Sequence, residues 1–177
     1  MRFLSHIPTI PLLNGYYLRE ILVSDGAALF PTLSDTENHK FTMYDPHKDV
    51  EQTMQWIESE SADSSVWTIA LQDDTAIGFV GYRPADSEEQ VCMISYHLNK
   101  DYWGRGIVPA AISLTDSHLF SNTPIVKIAA TVKPENVQSI KCLEKSGYYL
   151  EKIITDYVSK AVNDRSRIRH YYTKQKG

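Results

Sequence analysis

The sequence predicts an α/β (α+β) fold, a mixed but mostly antiparallel sheet of about seven strands flanked by helices. Three observations carry that prediction. Apolar runs at residues 66–71, 76–82 and 91–98 are separated by little more than turn chemistry, which reads as an antiparallel meander. The spacing then changes: Ile107, Ala110, Ala111, Leu114 and Leu119 fall on one helical face, 126–132 is an apolar run, and Val137, Ile140 and Leu143 mark another helix. That order implies a β-α-β crossover with parallel pairing near it. Finally, Gly104 and Gly106 sit between the run ending at Leu98 and the first of these helices.

The other elements follow in order. Residues 16–23 alternate enough for a strand, and Ser24 with Asp25 gives a helix-start signal before Ala27, Ala28 and Leu29. Residues 35–46 are polar and aromatic without a period, a candidate substrate loop. Asp49 then caps a helix carrying Val50, Met54 and Ile57 on one side. Gly147 stops the last helix at its C′ position, and 148–154 and 168–173 close the chain as strands. With neither an internal repeat nor a linker, residues 1–177 read as a single domain.

Composition narrows the function. Eighteen Lys and Arg against 22 Asp and Glu give a formal charge of −4, which opposes nucleic-acid binding because that draws on clustered cations. The run Arg165, Arg167, Arg169 reads as one solvated strand face. Cys92 and Cys142 lie in apolar segments and read as reduced thiols in a cytoplasmic protein. No apolar run approaches the ~20 residues of a membrane span, and His6, Pro8 and Pro11 break the N-terminal one. We expect no membrane, no nucleic acid and no metal; a homodimer is compatible with the sequence.

The stretch Asp101-Tyr102-Trp103-Gly104-Arg105-Gly106-Ile107-Val108 is the most informative. Glycine lets the backbone turn sharply and approach a ligand. The first N–H groups of the following helix lack internal partners and carry the positive end of its dipole, so a pyrophosphate fits. Alone the signal is weak, lacking both the G-x-G-x-x-G spacing of dinucleotide folds and the G-K-[ST] ending of P-loops.

Context strengthens it. Trp103 to Val108, preceded by I-S-Y-H-L and followed by V-K-P-E-N-V-Q-S-I-K-C-L-E-K-S-G-Y, resembles the GNAT superfamily of N-acetyltransferases, in particular the ribosomal-protein N-terminal acetyltransferase branch of RimJ and RimL. The resemblance implies acetyl-CoA as cosubstrate and an amine acceptor, a protein N-terminus or a small-molecule amine. It implies that Trp103, Gly104, Arg105, Gly106, Ile107 and Val108 cradle the pyrophosphate. Trp103 stands in place of the family's Gln or Arg, Val108 in place of Gly or Ala, and Pro109 removes one N–H. By the same resemblance the backbone of Tyr96, His97 and Leu98 pairs with the pantetheine arm, where side-chain identity matters little. Asn136 binds the pantetheine region, and Ser139 lies near the thiol as catalytic proton donor. On the residues alone, Asn136 caps a helix after Pro134 and Ser139 is solvated.

Acyl transfer needs a neutral amine, donors facing the developing oxyanion and a proton for the departing thiolate. Ser139 is the first choice for the last role and Tyr148 the weaker alternative. The family's E-x-G-Y carboxylate is absent, since this chain reads Met93-Ile94-Ser95-Tyr96. Glu88, Glu89 and His97 are the remaining candidates for a base. Deprotonating a lysine at pH 7 costs about 4.6 kcal/mol and an α-amine only about 1–1.4, so a site without a base suits an α-amine or another weakly basic amine. His39, Lys40 and Tyr44 are candidate acceptor contacts. A noncatalytic acyl-CoA-binding module is the competing reading, fed by Met93 and Val108; a nucleotide-binding protein is disfavoured by the missing P-loop lysine.

Overall fold

A computed structural model of the chain describes residues 3–42, 44–85, 88–158, 164 and 166–177. Its sheet has eight strands in the order β1-β2-β3-β4-β5-β6-β8-β7. These are β1 (Ile10–Pro11), β2 (Tyr17–Glu20), β3 (Ser65–Ala70), β4 (Ala76–Pro84), β5 (Val91–Leu98), β6 (Lys127–Val132), β7 (Tyr149–Ile154) and β8 (Arg169–Gln175). The helices are α1 (Gly26–Ser34), α2 (Thr36–His39), α3 (Val50–Asp63), α4 (Ile107–Asn122) and α5 (Val137–Lys145). The only parallel ladder among the described residues joins β5 to β6 across the α4 crossover.

The strand beyond the expected seven is β1, whose two residues are too few to show a period; Ile10 opposes Leu18. Trp67 fixes the segment before it by donating from Nε1 to the Pro8 carbonyl at 3.2 Å, and Leu4 and Ile7 are buried against the core. The core splits across the sheet. One face packs Val80, Tyr82, Cys92 and Ile94 against Ile107, Ile112 and Leu119 of α4. The other packs Val66 and Phe79 against Leu29, Leu33 and Ile57 of α1 and α3.

Several local expectations hold. Asp49 accepts from the Gln52 N–H at 2.7 Å and starts α3, although Met54 is 38% exposed and Thr53 takes the buried place. Gly147, at φ +87°, closes α5: its N–H reaches the Glu144 carbonyl and that of Tyr148 the Leu143 carbonyl, both within 3.1 Å. The irregular 35–46 segment gains one short helix, α2, capped by Asp35 on the Glu37 N–H at 2.9 Å.

The helix start signalled by Ser24 and Asp25 holds, since α1 begins at Gly26, although the buried Asp25 side chain does not cap it and instead binds Arg19 at 2.7 Å, the Thr68 hydroxyl at 3.0 Å and the Leu22 N–H at 2.9 Å. One reading is corrected. Arg169 is not solvated. It is 1% exposed, ion-paired with Asp164 and stacked over Tyr157 at 4.7 Å, because β8 lies inside the sheet between β6 and β7. Arg165 lies outside the described residues. No helix among the described residues is long and apolar enough to cross a membrane.

Candidate active site

Gly104 and Gly106 sit at φ +76° and +73°, the left-handed region that favours glycine, and a Cβ on either would meet nothing within 4 Å. Neighbouring atoms therefore do not demand these glycines. Their positive φ does, and it leaves open space over the backbone. Gly106 is the residue before α4 and offers no side-chain cap. The first helical bond there runs from the Ala110 N–H to the Gly106 carbonyl at 3.2 Å, so the N–H groups of Ile107 and Val108 precede it. Trp103 ties the loop to the sheet, its Nε1–H donating to the Leu98 carbonyl at 2.8 Å. Arg105 folds back on Tyr102 and donates to the Asp101 carbonyl at 2.9 Å.

The loop opens onto a gap in the sheet. β5 and β6 are paired over three registers only, Val91, Cys92 and Met93 opposite Lys127, Ile128 and Ala129. Beyond Met93, β5 stays paired with β4 while β6 stays paired with β8, so 94–98 and 130–132 diverge. One edge of β5 thus presents backbone groups to a cleft of about 1310 Å³ that runs from the glycine loop to α2 and α3. An extended amide chain can add to such an edge as a strand does.

Side chains alternate across β5, giving the cleft two unlike walls. On the α4–α5 side, the Tyr96 hydroxyl lies 2.7 Å from Ser139 Oγ, and Asn136 Oδ1 accepts from the Ser139 N–H at 3.1 Å. Asn136 is therefore a helix cap whatever else it binds, and Ser139 is not a free surface hydroxyl. Cys142 lies one turn further on; burial pushes its thiol up to about 11, so it stays protonated at neutral pH. Burial likewise raises the Tyr96 phenol. Tyr148 is unsuited to protonating a thiolate, since it is 3% exposed and its hydroxyl donates to buried Asp116 at 3.1 Å.

On the α1–α3 side, His97 is stacked between Phe79 at 5.4 Å and His39 at 5.2 Å, with His47 and Trp56 beyond. Burial pulls His97 down to about 3, helped by His39 and His47, and lowers both of those too. A base of pKa ~3 is too weak to take a proton from an amine near 8, and Glu88 is engaged with Lys127 at 3.7 Å. His39 is 8% exposed and braces the loop, its Nδ1 lying 3.3 Å from the Tyr44 carbonyl, which makes it a structural residue. Tyr44 instead meets Arg83, whose guanidinium donates to the phenol at 3.1 Å. Lys40 is exposed at the same rim.

All the residues expected at the site line this one cleft: Tyr96, His97 and Leu98 on β5, 103–108 on the loop and helix start, and Asn136 and Ser139 on α5. Leu98 and Ile107 turn buried side chains into the core, which leaves only their backbone to a ligand. The Tyr96 to Ser139 bond and the Arg83 to Tyr44 pair join residues 43 and 39 positions apart and carry no local signal.

A glycine loop at a helix start thus lies beside a sheet opened at one parallel junction. The chain belongs to the acetyltransferase (GNAT) domain family, which it matches over residues 16–149, and it is an N-acetyltransferase. It is 29% identical over 146 residues to the uncharacterized N-acetyltransferase p20 of Bacillus licheniformis, covering 79% of this chain and 82% of that one. It is 25% identical over 147 residues to the uncharacterized N-acetyltransferase YoaA of Bacillus subtilis, covering 80% and 83%. Among solved structures, a GNAT-family acetyltransferase from Bacillus anthracis superposes with a TM-score of 0.83 at 19% identity, over 96% of this chain and 99% of that one. RimL, a ribosomal L7/L12 α-N-protein acetyltransferase in complex with coenzyme A, superposes with a TM-score of 0.82 at 15% identity, over 95% and 98%.

Proposed function

We propose that this enzyme transfers the acetyl group of acetyl-CoA to an α-amine or another weakly basic amine, as a member of the RimJ and RimL branch whose single domain spans residues 1–177. The observation that supports this reading is the continuous cleft: it joins the glycine loop, the free β5 edge and Ser139 on one side of the sheet to an aromatic bay on the other.

In this reading the N–H groups of Gly106, Ile107 and Val108 hold the pyrophosphate, and Arg105 swings from the Asp101 carbonyl to a phosphate oxygen. Hydrogen bonds to a charged oxygen contribute roughly 1.5–3 kcal/mol each. The backbone of 94–98 pairs with the pantetheine amides, and a β5 N–H faces the oxyanion. As the amine nitrogen bonds to the acetyl carbon and the C–S bond breaks, Ser139 Oγ–H gives its proton to sulfur. With Tyr96 as donor to Ser139 Oγ, the serine hydrogen is left to point into the cleft. The proton lost by the amine passes to solvent, and solvent returns one to the Ser139 oxygen, since the histidines at the bay are held neutral and weak by burial.

Calorimetry with acetyl-CoA, coenzyme A and adenosine tests the first half. Acetyl-CoA and coenzyme A should bind and raise the melting temperature, adenosine far less. Gly106→Val should weaken coenzyme binding about 10-fold or more, because a β-branched residue is strained at φ +73° and its Cβ enters the space left for phosphate. No binding at millimolar coenzyme, or unaltered affinity in the variant, places the phosphate elsewhere.

Acceptor choice is read from pH–rate profiles on peptides with free and blocked N-termini, lysine side chains and a polyamine. The rate should rise with pH through each acceptor's own pKa. A limb at pH 6–7 shared by acceptors of different pKa, or a preference for lysine, overturns the α-amine reading.

A further inference from the structure

The register of β4 and β5 builds the bay on the α1–α3 side from three cross-strand pairs: Phe79 with His97, Gly81 with Ser95, and Arg83 with Met93. Opposed residues share a face with their Cβ atoms about 5 Å apart. Phe79 and His97 close one end of the row with stacked rings, and Ser95, opposite Gly81, is exposed at its middle. Arg83 ends the row beside Met93, the residue at which β5 parts from β6.

Arg83 is half-buried, lines the cleft, and donates a hydrogen bond to the Tyr44 phenol at 3.1 Å. Several other cations have a carboxylate partner, among them Arg19 with Asp25, Lys100 with Asp35, Lys133 with Asp164 and Lys174 with Asp116, each within 2.9 Å. In a chain of net charge −4, no carboxylate of the described residues lies within 4 Å of Arg83. Arg105, Lys141 and Lys145 line the glycine-loop end of the cleft, and Arg83, with exposed Lys40 at the rim, supplies the positive charge at the other end.

Building on the acetyl-transfer reading above, we infer that Arg83, braced by Tyr44, binds a carboxylate of the acceptor, which is therefore an amine that also carries an acid group. The guanidinium fork matches a carboxylate in two parallel hydrogen bonds, and the half-buried position strengthens them. A carboxylate held there sets the amine beside exposed Ser95, facing the gap where β5 and β6 separate. Two sources of such a group fit, the α-carboxylate of a free amino acid and an acidic side chain near a peptide N-terminus.

The test compares kcat/KM for a free amino acid with its amide, and for an amidated peptide with Asp or Glu at its second position against the Asn or Gln version. The acid should be preferred over its amide about 10- to 100-fold, chiefly through KM, in one of the two series, and that series identifies the source. Arg83→Ala should bring the acid-to-amide ratio to about one, and Arg83→Lys should leave it between the two because a lysine keeps the charge without the fork. Acetyl-CoA affinity, measured on the same samples, controls for folding. Turnover with no preference for the acid in either series, or a preference that survives Arg83→Ala, overturns the carboxylate site alone. Failure to acetylate any of the four acceptors overturns the acetyl-transfer reading together with it.

Discussion

Ser139→Ala is expected to lower kcat by about 10²- to 10⁴-fold, the range for loss of a general acid, with a much smaller change in KM for acetyl-CoA. Geometry supports so large an effect. The hydroxyl is fixed by Tyr96 at 2.7 Å and its backbone N–H by Asn136 at 3.1 Å, so both the atom and the turn that carries it are held. Tyr96→Phe separates orientation from proton donation. It removes the phenol that holds Ser139 and should cost less than Ser139→Ala, with the same KM. If Ser139→Ala changes KM and spares kcat, the serine is a coenzyme contact and the proton comes from elsewhere.

The second large effect concerns stability. Asp116 is fully buried beneath the sheet, where its carboxylate accepts from Tyr82 at 2.7 Å and Tyr148 at 3.1 Å and pairs with Lys174 at 2.9 Å. Burial pushes this carboxyl upward, while Lys174 and the two phenols oppose the push. Lys174→Met removes the strongest opposing charge, leaves the acid unpaired, and should cost about 3–5 kcal/mol. Domains are typically stable by only ~5–15 kcal/mol. The sign of the pH dependence follows from the direction of the shift. A carboxyl whose folded pKa is raised binds its proton more tightly in the folded state, so the variant should regain stability as pH falls through that folded value towards the unfolded ~3.9. Urea unfolding at pH 8 and at pH 5.5 reads this directly. An equal loss at both values would mean that Asp116 is already protonated or that Lys174 acts through packing.

Elements with local punctuation were legible in the sequence. Asp49 and Gly147 announce their boundaries through short-range hydrogen bonds and a special φ value, and the switch from period 2 to period 3.6 after Leu98 announces the crossover. The glycine loop was legible for the same reason. Features that arise from pairing at a distance were not. β1 is two residues long. Arg169 looked like one of a solvated row because its burial depends on β8 slotting between β6 and β7, an order no local pattern encodes. Tyr96 was expected to serve through its backbone alone, yet its hydroxyl reaches Ser139 because the α5 turn folds over that face of β5. Arg83 carries no local signal, and only the register sets it and His97 along one bay.

The bond from Trp103 to the Leu98 carbonyl has an optical consequence. The protein has three tryptophans in unlike surroundings: Trp67 fully buried, Trp56 beside Phe79 at the bay, and Trp103 42% exposed on the glycine loop. Each indole emits according to the polarity around it, so the red edge of the emission band belongs to Trp103 and the blue edge to Trp67. Occupation of the glycine loop alters solvent contact at Trp103 and leaves Trp67 as an internal standard. The two halves of the cleft are thus separately visible to unlabelled fluorescence, through Trp103 at one end and Trp56 at the other.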